Sequence, residues 1–122
     1  MVAPPPVSYP TLSDLSRSAE DRLLALDCSR LIEPQGPIPL SGVTHLRFSA
    51  LTRTDLEALD PTAVVMPLFS ADQDALSMVE TLEEMGFRGR ILVIAPALPR
   101  PQLVERELRA AGPGLRLMLV SP

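Results

Sequence analysis

Lysine is absent from this chain of 122 residues, because all eleven basic residues are arginine. Any mechanism that requires a lysine amine is therefore closed to the protein acting alone. Cys28 is the only cysteine, which excludes an internal disulfide and a zinc site built from thiolates. Although Arg30 nearby could lower the pKa of this thiol, a small buried side chain is the better interpretation. His45 is the only histidine and has no cysteine at ligand spacing, so we expect a structural role for it.

Clustered positive charge and long apolar runs are also missing. The net charge is −4 and no basic run occurs, which argues against nucleic-acid binding, because phosphate recognition needs several clustered cations. No apolar stretch approaches the about 18 residues of a membrane span. A signal peptide is not expected, since the first basic residue is Arg17 and prolines stand where an apolar run should be. We expect a soluble cytoplasmic protein that binds neither nucleic acid nor a membrane.

The glycine-rich and nucleophile motifs of common enzymes do not occur. GxGxxG, GxxxxGK[ST] and GxSxG are all absent from the sequence. Asp72 and Asp74 flank Gln73, but a divalent-ion site needs more oxygen ligands than these two carboxylates supply. The sequence therefore predicts no metal and no cofactor.

The composition that remains predicts one folded domain with an aliphatic core. Hydrophobic residues make up 46% of the chain and aromatic residues 3%, so leucine, valine, isoleucine, alanine and methionine must build the core. Fourteen prolines are present, three of them at positions 4–6. We expect residues 1–10 to be a disordered Pro-rich lead and residues 11–122 to form a single α/β domain.

The N-terminal third gives an ambiguous pattern. Apolar residues follow helical spacing at Leu12, Leu15, Ala19, Leu23 and Leu26. However, residues 23–26 could equally begin a strand, so both structures remain open for residues 11–27. Residues 28–42 contain three prolines and two glycines, which excludes a long helix and predicts irregular structure or a short hairpin.

Strand and helix patterns alternate regularly from residue 43 onward. Apolar or alternating runs predict strands at residues 44–49, 63–69, 91–95 and 115–120. The helices between them are predicted to begin at Thr54, at Asp72 as N-cap, and near Pro99 and Pro101. In the last helix we expect an inward face of Leu103, Val104, Leu108 and Ala111, closed by Gly112. Such alternation implies a parallel sheet with right-handed crossovers, covered on both faces.

From about residue 44 to residue 122 the chain resembles the response-regulator receiver domain. The resemblance rests on the order of elements, on the passage EEMGFRGRILVIA at residues 83–95, and on a closing strand followed by Ser–Pro. It implies a three-layer open parallel sheet of the flavodoxin/receiver-like class. Two departures are expected: an irregular N-terminal third and no helix after the last strand.

The phosphorylation residues of a receiver are not present at the matching positions. Pro67 stands near the phosphoryl-accepting aspartate, Ala95 near the hydroxyl residue, and Ser121 where a lysine would precede Pro122. Only Asp27 matches the acidic pair that holds magnesium. The resemblance therefore implies a pseudo-receiver without catalytic residues, because phosphoryl transfer relies on a metal and cations to neutralise charge.

Two functions fit this sequence. The first is a non-catalytic interaction or dimerisation module in bacterial signalling or regulation, with a protein partner or a second copy as its target. Its candidate interface is Leu115, Leu117 and Leu119, because the last strand is apolar on both sides and no helix follows to cover it.

The alternative is a small-ligand-binding domain or minor enzyme that uses the crevice at the carboxyl ends of the strands. Its candidate residues are Ser70, Asp72, Asp74 and Pro96. Apolar closure of this crevice would favour the interaction module, and an open polar pocket would favour the ligand. The side chains expected to make that closure are Leu68, Phe69, Pro96 and Leu98.

Overall fold

A computed structural model describes residues 9–12, 15, 21–32, 36, 38, 42–70 and 74–122. Its strands are β1 (Leu23–Leu26), β2 (Val43–Leu46), β3 (Ala63–Pro67), β4 (Arg90–Ile94) and β5 (Arg116–Val120). Its α-helices are α1 (Arg53–Leu59), α2 (Ala75–Glu84) and α3 (Pro101–Ala111). A short 3-10 turn at Phe48–Ala50 precedes α1.

The five strands form one parallel sheet in the order β2-β1-β3-β4-β5. The chain first moves outward from β1 to β2 and then returns past β1 to β3, so the direction of winding reverses between β1 and β3. This is the strand order of flavodoxin-like doubly wound sheets. It confirms the open parallel sheet expected from the alternating pattern.

The local sequences of β3 and β4 explain why these segments form strands inside the sheet. The residues of β3 are all buried, and in β4 only the first residue is partly exposed. Continuous apolar runs of this kind form strands that are covered on both faces of a parallel sheet. The predicted strands at 63–69 and 91–95 are therefore present, each with bounds shifted by one or two residues.

The ambiguity in the N-terminal third is resolved in favour of a strand for residues 23–26. All four residues of β1 are buried, and β1 pairs with β2 on one side and β3 on the other. Because a central strand gains backbone hydrogen bonds on both sides, pairing outweighs the helical spacing of its leucines. Most of residues 13–20, where the helical alternative also fell, lie outside the described residues.

The three helices cover one face of the sheet. Leu56 of α1, Met78 and Leu82 of α2, and Leu108 of α3 join a cluster with Val64, Met66, Ile91, Val93, Leu117 and Leu119 of the sheet. Most of the side chains that fill this first face are aliphatic, as the composition predicts.

The second face is covered differently in the described residues. Its sheet side chains, which include Ala25, Val65, Leu92 and Val120, pack against Leu12, Leu15, Cys28, Ile32 and Ile38. Leu12 and Leu15 of the N-terminal segment therefore cover part of this face. The stretch after β1 supplies the rest, and its described part is irregular, with turns at Cys28–Leu31 and a single bridge between Ile32 and Ile38.

The folded domain begins earlier than residue 11. Tyr9 is buried and its hydroxyl donates to the carbonyl oxygens of Ala95 and Pro96. The amide of Ser121 donates to the carbonyl of Pro10 at 2.8 Å. Tyr9 and Pro10 therefore belong to the domain, and the predicted lead narrows to residues 1–8, which lie outside the described residues.

Three predicted helix details are wrong, two of them because a neighbouring residue caps the helix. The N-cap of α1 is Thr52, which forms a capping box with Asp55, so Thr54 lies inside the helix. The N-cap of α2 is Asp74, whose carboxylate accepts from the amide of Ser77 at 2.7 Å, and not Asp72. In α3, Leu103 is exposed although it was expected to face the core.

The strand predicted at residues 44–49 is also too long. β2 ends at Leu46, and Phe48 begins the 3-10 turn with its ring buried in the first-face cluster. The turn follows because the amide of Phe48 donates to the carboxylate of Asp27 at 3.0 Å, which draws the chain away from the ladder.

Candidate functional site at the carboxyl edge of the sheet

The three positions that the resemblance matches to receiver residues lie at one edge of the sheet. Pro67 is the last residue of β3, Ala95 follows β4 directly, and Ser121 follows β5 directly. Because the strands are parallel, their carboxyl ends meet at the same edge. Asp27 follows β1 at this edge too, next to the point where the winding reverses, which is where open α/β sheets bind ligands.

None of the three positions offers a group for phosphoryl chemistry. Pro67 and Ala95 are buried and carry no polar side-chain atom. The amide of Ala95 continues the ladder by donating to the carbonyl of Val120 at 2.8 Å. Ser121 is nearly buried, and its hydroxyl bonds to that of Thr11 at 3.1 Å. These groups stabilise the end of the sheet.

The carboxylate of Asp27 is occupied by hydrogen bonds within the fold. One oxygen accepts from the amide of Phe48 at 3.0 Å, and the other accepts from the hydroxyl of Ser70 at 3.4 Å. Its backbone has a φ of 57°, a left-handed conformation that aspartate tolerates better than most residues. This conformation turns the chain sharply after β1 while the side chain ties the ends of β1, β2 and β3 together.

Cys28 is a buried thiol and not an exposed nucleophile. Its Sγ lies 3.2 Å from the carbonyl oxygen of Leu26 and 3.5 Å from that of Val65. Burial raises the pKa of Cys28 to about 12, and the negative charge of Asp27 adds to the increase. The expected role of a small buried side chain is confirmed.

The candidate crevice residues are only partly brought together. Ser70 contacts Asp27, as described above, while Asp74 is exposed and forms a single antiparallel bridge with Phe69. Pro96 is exposed, with its carbonyl bound by Tyr9. Asp72 lies outside the described residues.

Only two of the four side chains expected to close the crevice are packed against the fold. Leu68 is buried and Leu98 packs against the first-face cluster, whereas Phe69 and Pro96 are exposed. A cavity of about 510 Å³ lies between Tyr9 and α3, and is lined by Pro101, Gln102, Glu105, Arg106 and Arg109.

Exposed apolar side chains gather at the carboxyl edge, which the sequence did not reveal. Phe69 is 71% exposed, Leu76 41% and Leu103 44%, and these are the exposed large hydrophobic residues of the described chain. Phe69 lies in the connection after β3, and the leucines lie in the first turns of α2 and α3. Since helices that follow parallel strands begin at the carboxyl edge, all three stand at this end. We call Phe69, Leu76 and Leu103 the apolar edge.

The sequence contained a partial signal for this surface. Leu76 is one position away from the inward set of α2, which holds Ala75, Val79 and Leu82. A leucine outside the buried stripe of an amphipathic helix must face elsewhere. For Phe69 and Leu103 no comparable signal existed, because both were consistent with a buried position.

The candidate interface on β5 does not form a free surface in the single chain. Leu115, Leu117 and Leu119 are all buried in the first-face cluster, where α3 packs over them. The expected interface residues are therefore core residues, since side chains that alternate along β5 point either under α3 or to the second face. On the second face Met118 is partly exposed and Val120 is buried.

The remaining candidate chemistry does not assemble into a site in the described residues. His45 lies on the edge strand β2, with a buried Nδ1 atom that has no hydrogen-bond partner in the structure. Across the described ranges, no group of three or more histidine, cysteine, aspartate or glutamate residues is arranged to hold a metal ion. Among the described helices, none combines the length and apolar character that a membrane crossing requires.

Comparison of the chain with protein-family models, with curated proteins and with solved structures gave no match.

Proposed function

We propose that this protein is a non-catalytic, receiver-like interaction module that pairs with a second copy through its apolar edge. The observation that carries the proposal is the location of Phe69, Leu76 and Leu103. They are the exposed large hydrophobic residues of the described chain, and all three stand at the carboxyl edge. Exposed apolar groups concentrated in one region of a soluble surface mark a contact site more often than groups scattered singly.

The chemistry of the same edge supports a binding role over catalysis. A receiver of the conventional kind would present a nucleophilic carboxylate, a hydroxyl and an amine where this chain has Pro67, Ala95 and Ser121. The carboxylate of Asp27 already accepts hydrogen bonds from Phe48 and Ser70. What the edge offers to a partner is therefore apolar area and an aromatic ring.

A ligand-binding function in the crevice is less well supported. Of the candidate residues, Asp74 caps α2, and the hydroxyl of Ser70 bonds to Asp27. These polar groups serve the fold itself, which leaves few of them to orient a small molecule.

The variant Phe69→Ser tests the interaction. We expect the unaltered protein to sediment as a dimer at high micromolar concentration and the variant to sediment as a monomer of about 13.2 kDa. Phe69 is mostly exposed, so its loss should leave the unfolding midpoint nearly unchanged. The matched control is Glu57→Ser, an exposed position on α1, which should remain dimeric. A monomeric unaltered protein at that concentration would contradict pairing through the apolar edge.

Acetyl phosphate with magnesium tests the absence of receiver chemistry. We expect intact-protein mass spectrometry to detect no added phosphoryl group, because the strand ends lack the nucleophile and the chain lacks lysine. A phosphoryl adduct that disappears in Asp72→Asn or Asp74→Asn would overturn the pseudo-receiver interpretation.

A further inference from the structure

We propose that the open edge of β5 is a docking site for an extended, carboxylate-bearing peptide segment of another protein. The segment would add to the sheet as a further strand and place its carboxylates beside Arg90, Arg109 and Arg116. This site differs from the apolar edge, and the inference goes beyond the proposed function.

β5 is an edge strand with outward-facing backbone groups. It pairs with β4 along its length. On its other side, the backbone bonds made by the described residues 9–12 are those with Ser121, which directly follows β5. The amide of Ser121 donates to Pro10 and its carbonyl accepts from Leu12, so both groups of Ser121 point away from β4. In a parallel strand, the backbone amide and carbonyl groups of alternate residues point to the same side. The backbone amides and carbonyls of Leu117 and Leu119 therefore also point away from β4.

Pro10 cannot extend the backbone pairing of Thr11 and Ser121 toward Leu119. Thr11 lies opposite Ser121 in parallel register, so the next donor toward the carbonyl of Leu119 would be the amide of residue 10. Residue 10 is proline and has no N–H group. The ladder that Thr11 begins therefore cannot supply a donor for Leu119, whereas the strand of a partner could.

The exposed edge of β5 carries a cluster of three arginines. A cavity of about 480 Å³ is lined by three arginines, Arg90, Arg109 and Arg116, together with Leu115, Leu117 and Met118. Arg90 and Arg116 are direct neighbours across the β4–β5 ladder, an arrangement of like charges that destabilises a sheet. In the described part of the chain, neither of their guanidinium groups has a side-chain hydrogen bond or an ion pair. An anionic partner would relieve this repulsion.

Arg109 occupies the place that an incoming strand would take. Its Nε donates to the carbonyl of Leu117 at 3.2 Å, and its Nη2 pairs with Glu105 at 2.5 Å. A charged side chain at an edge prevents indiscriminate pairing of strands. A peptide amide could replace Nε at Leu117, and the guanidinium, which is more than half exposed, could then bind a peptide carboxylate in a bidentate manner.

Charge also decides against a second copy as the occupant. Two-fold pairing of β5 with β5 of another molecule would bring both sets of Arg90, Arg109 and Arg116 together. Strand addition to a sheet edge is an established mode of peptide binding, in which backbone hydrogen bonds give affinity and side chains give specificity. The three arginines select carboxylates, so the occupant that fits is an acidic extended segment.

The test uses fluorescein-labelled peptides and fluorescence anisotropy on the full chain. A peptide of alternating valine and glutamate should bind. A peptide of alternating valine and glutamine should bind at least about tenfold more weakly, because charge-assisted hydrogen bonds are stronger than neutral ones. Arg116→Gln should weaken binding of the glutamate peptide by about tenfold. The matched control is Arg100→Gln, which replaces an exposed arginine in the connection between β4 and α3. This variant should bind the glutamate peptide as tightly as the unaltered protein does.

Amide hydrogen exchange measured by NMR locates the bound peptide. If it adds as a strand, exchange at Leu117 and Leu119 should slow, while Met118, whose amide faces β4, should change little. The proposal would be overturned if both peptides bound equally or if a single-stranded oligonucleotide bound more tightly. It would also be overturned if the peptide protected amides at another surface. Phe69→Ser should leave peptide binding unchanged, so that failure here is distinguishable from failure of dimerisation at the apolar edge.

Discussion

Two neighbouring residues at the end of β1, Asp27 and Cys28, connect several segments at the carboxyl edge of the sheet. Asp27 adopts a left-handed backbone and ties Phe48 and Ser70 to the strand end. Cys28 turns into the second face, where it contacts the carbonyls of Leu26 and Val65. A carboxylate and a thiol thus follow β1 directly, and both make contacts within the fold.

Alkaline pH should destabilise the protein through very few groups. Burial raises the pKa of Cys28 from 9.0 to about 12 and also raises the pKa of Tyr9 above 10.0. The unfolded chain therefore loses these protons at lower pH than the folded chain. Stability is fully present below pH 9 and is lost as pH rises toward 12, by up to about 1.4 kcal/mol per pH unit for each group.

The absence of lysine makes this prediction sharp. Arginine stays protonated, so Cys28 and Tyr9 are the side chains that titrate in this range. Urea denaturation at pH 8 and pH 10.5 should show a smaller alkaline loss for Cys28→Ala than for the unaltered protein. Tyr9→Phe should also reduce the loss, because burial raises the pKa of the Tyr9 hydroxyl. An unchanged alkaline loss in Cys28→Ala would contradict the burial of the thiolate-forming group.

Among the helices, α1 shows most clearly how its start is chosen. Two threonines stand near its beginning, and composition alone favours either as N-cap. Thr52 has the extended backbone that an N-cap needs, and its side chain accepts from the amide of Asp55 at 3.0 Å. Asp55 returns the bond to the amide of Thr52 at 3.2 Å. A capping box therefore begins the helix two residues earlier than Thr54.

The pair Thr52→Ala and Thr54→Ala tests this assignment. Loss of the N-cap should lower the free energy of unfolding by about 1 kcal/mol. Thr54 lies within the first turn and alanine is a better helix former, so its replacement should be neutral or slightly stabilising. Urea denaturation followed by circular dichroism measures both. Equal destabilisation by the two variants would show that the capping box does not determine the start of α1.

In the molecule as a whole, the two faces of the sheet are covered by different means. Helices α1, α2 and α3 cover the first face, and irregular segments that include Leu12 and Cys28–Ile32 cover the second in the described residues. The N-terminal segment therefore serves two purposes, because Tyr9 packs on the first face and Leu12 on the second. Its pairing with Ser121 holds both in place.

Two truncations test the role of this segment. Removal of residues 1–8, the Pro-rich lead, should change stability little. Removal of residues 1–12 deletes the buried side chains of Tyr9 and Leu12, each of which contributes about 1.5–3 kcal/mol when buried. The longer truncation should therefore lower the free energy of unfolding by about 3 kcal/mol or more. The two truncated proteins are compared by thermal unfolding at equal protein concentration. Equal unfolding midpoints would exclude a structural role for Tyr9–Leu12.

Part of the site could be predicted from residue type alone. Pro67, Ala95 and Ser121 were placed correctly at the strand ends, because the strands that precede them are strongly apolar and their ends are marked by proline. The apolar edge could not be predicted for Phe69 and Leu103. Whether a side chain in a connection or a first helical turn is exposed depends on what packs beside it, and sequence spacing carries no such information.

What the sequence determined by itself is the alternation of strands and helices after residue 43 and the absence of lysine, with a proline at position 67. Both follow from properties that each residue carries locally: apolar periodicity selects the element, and no fold can supply a lysine amine or an acceptor aspartate where the chain has none. Only the tertiary structure decided that Leu23–Leu26 is a strand, that Leu117 and Leu119 lie beneath α3, and that Arg90 stands beside Arg116. These outcomes depend on pairing between segments that are distant in the chain, where burial and backbone hydrogen bonds outweigh local propensity.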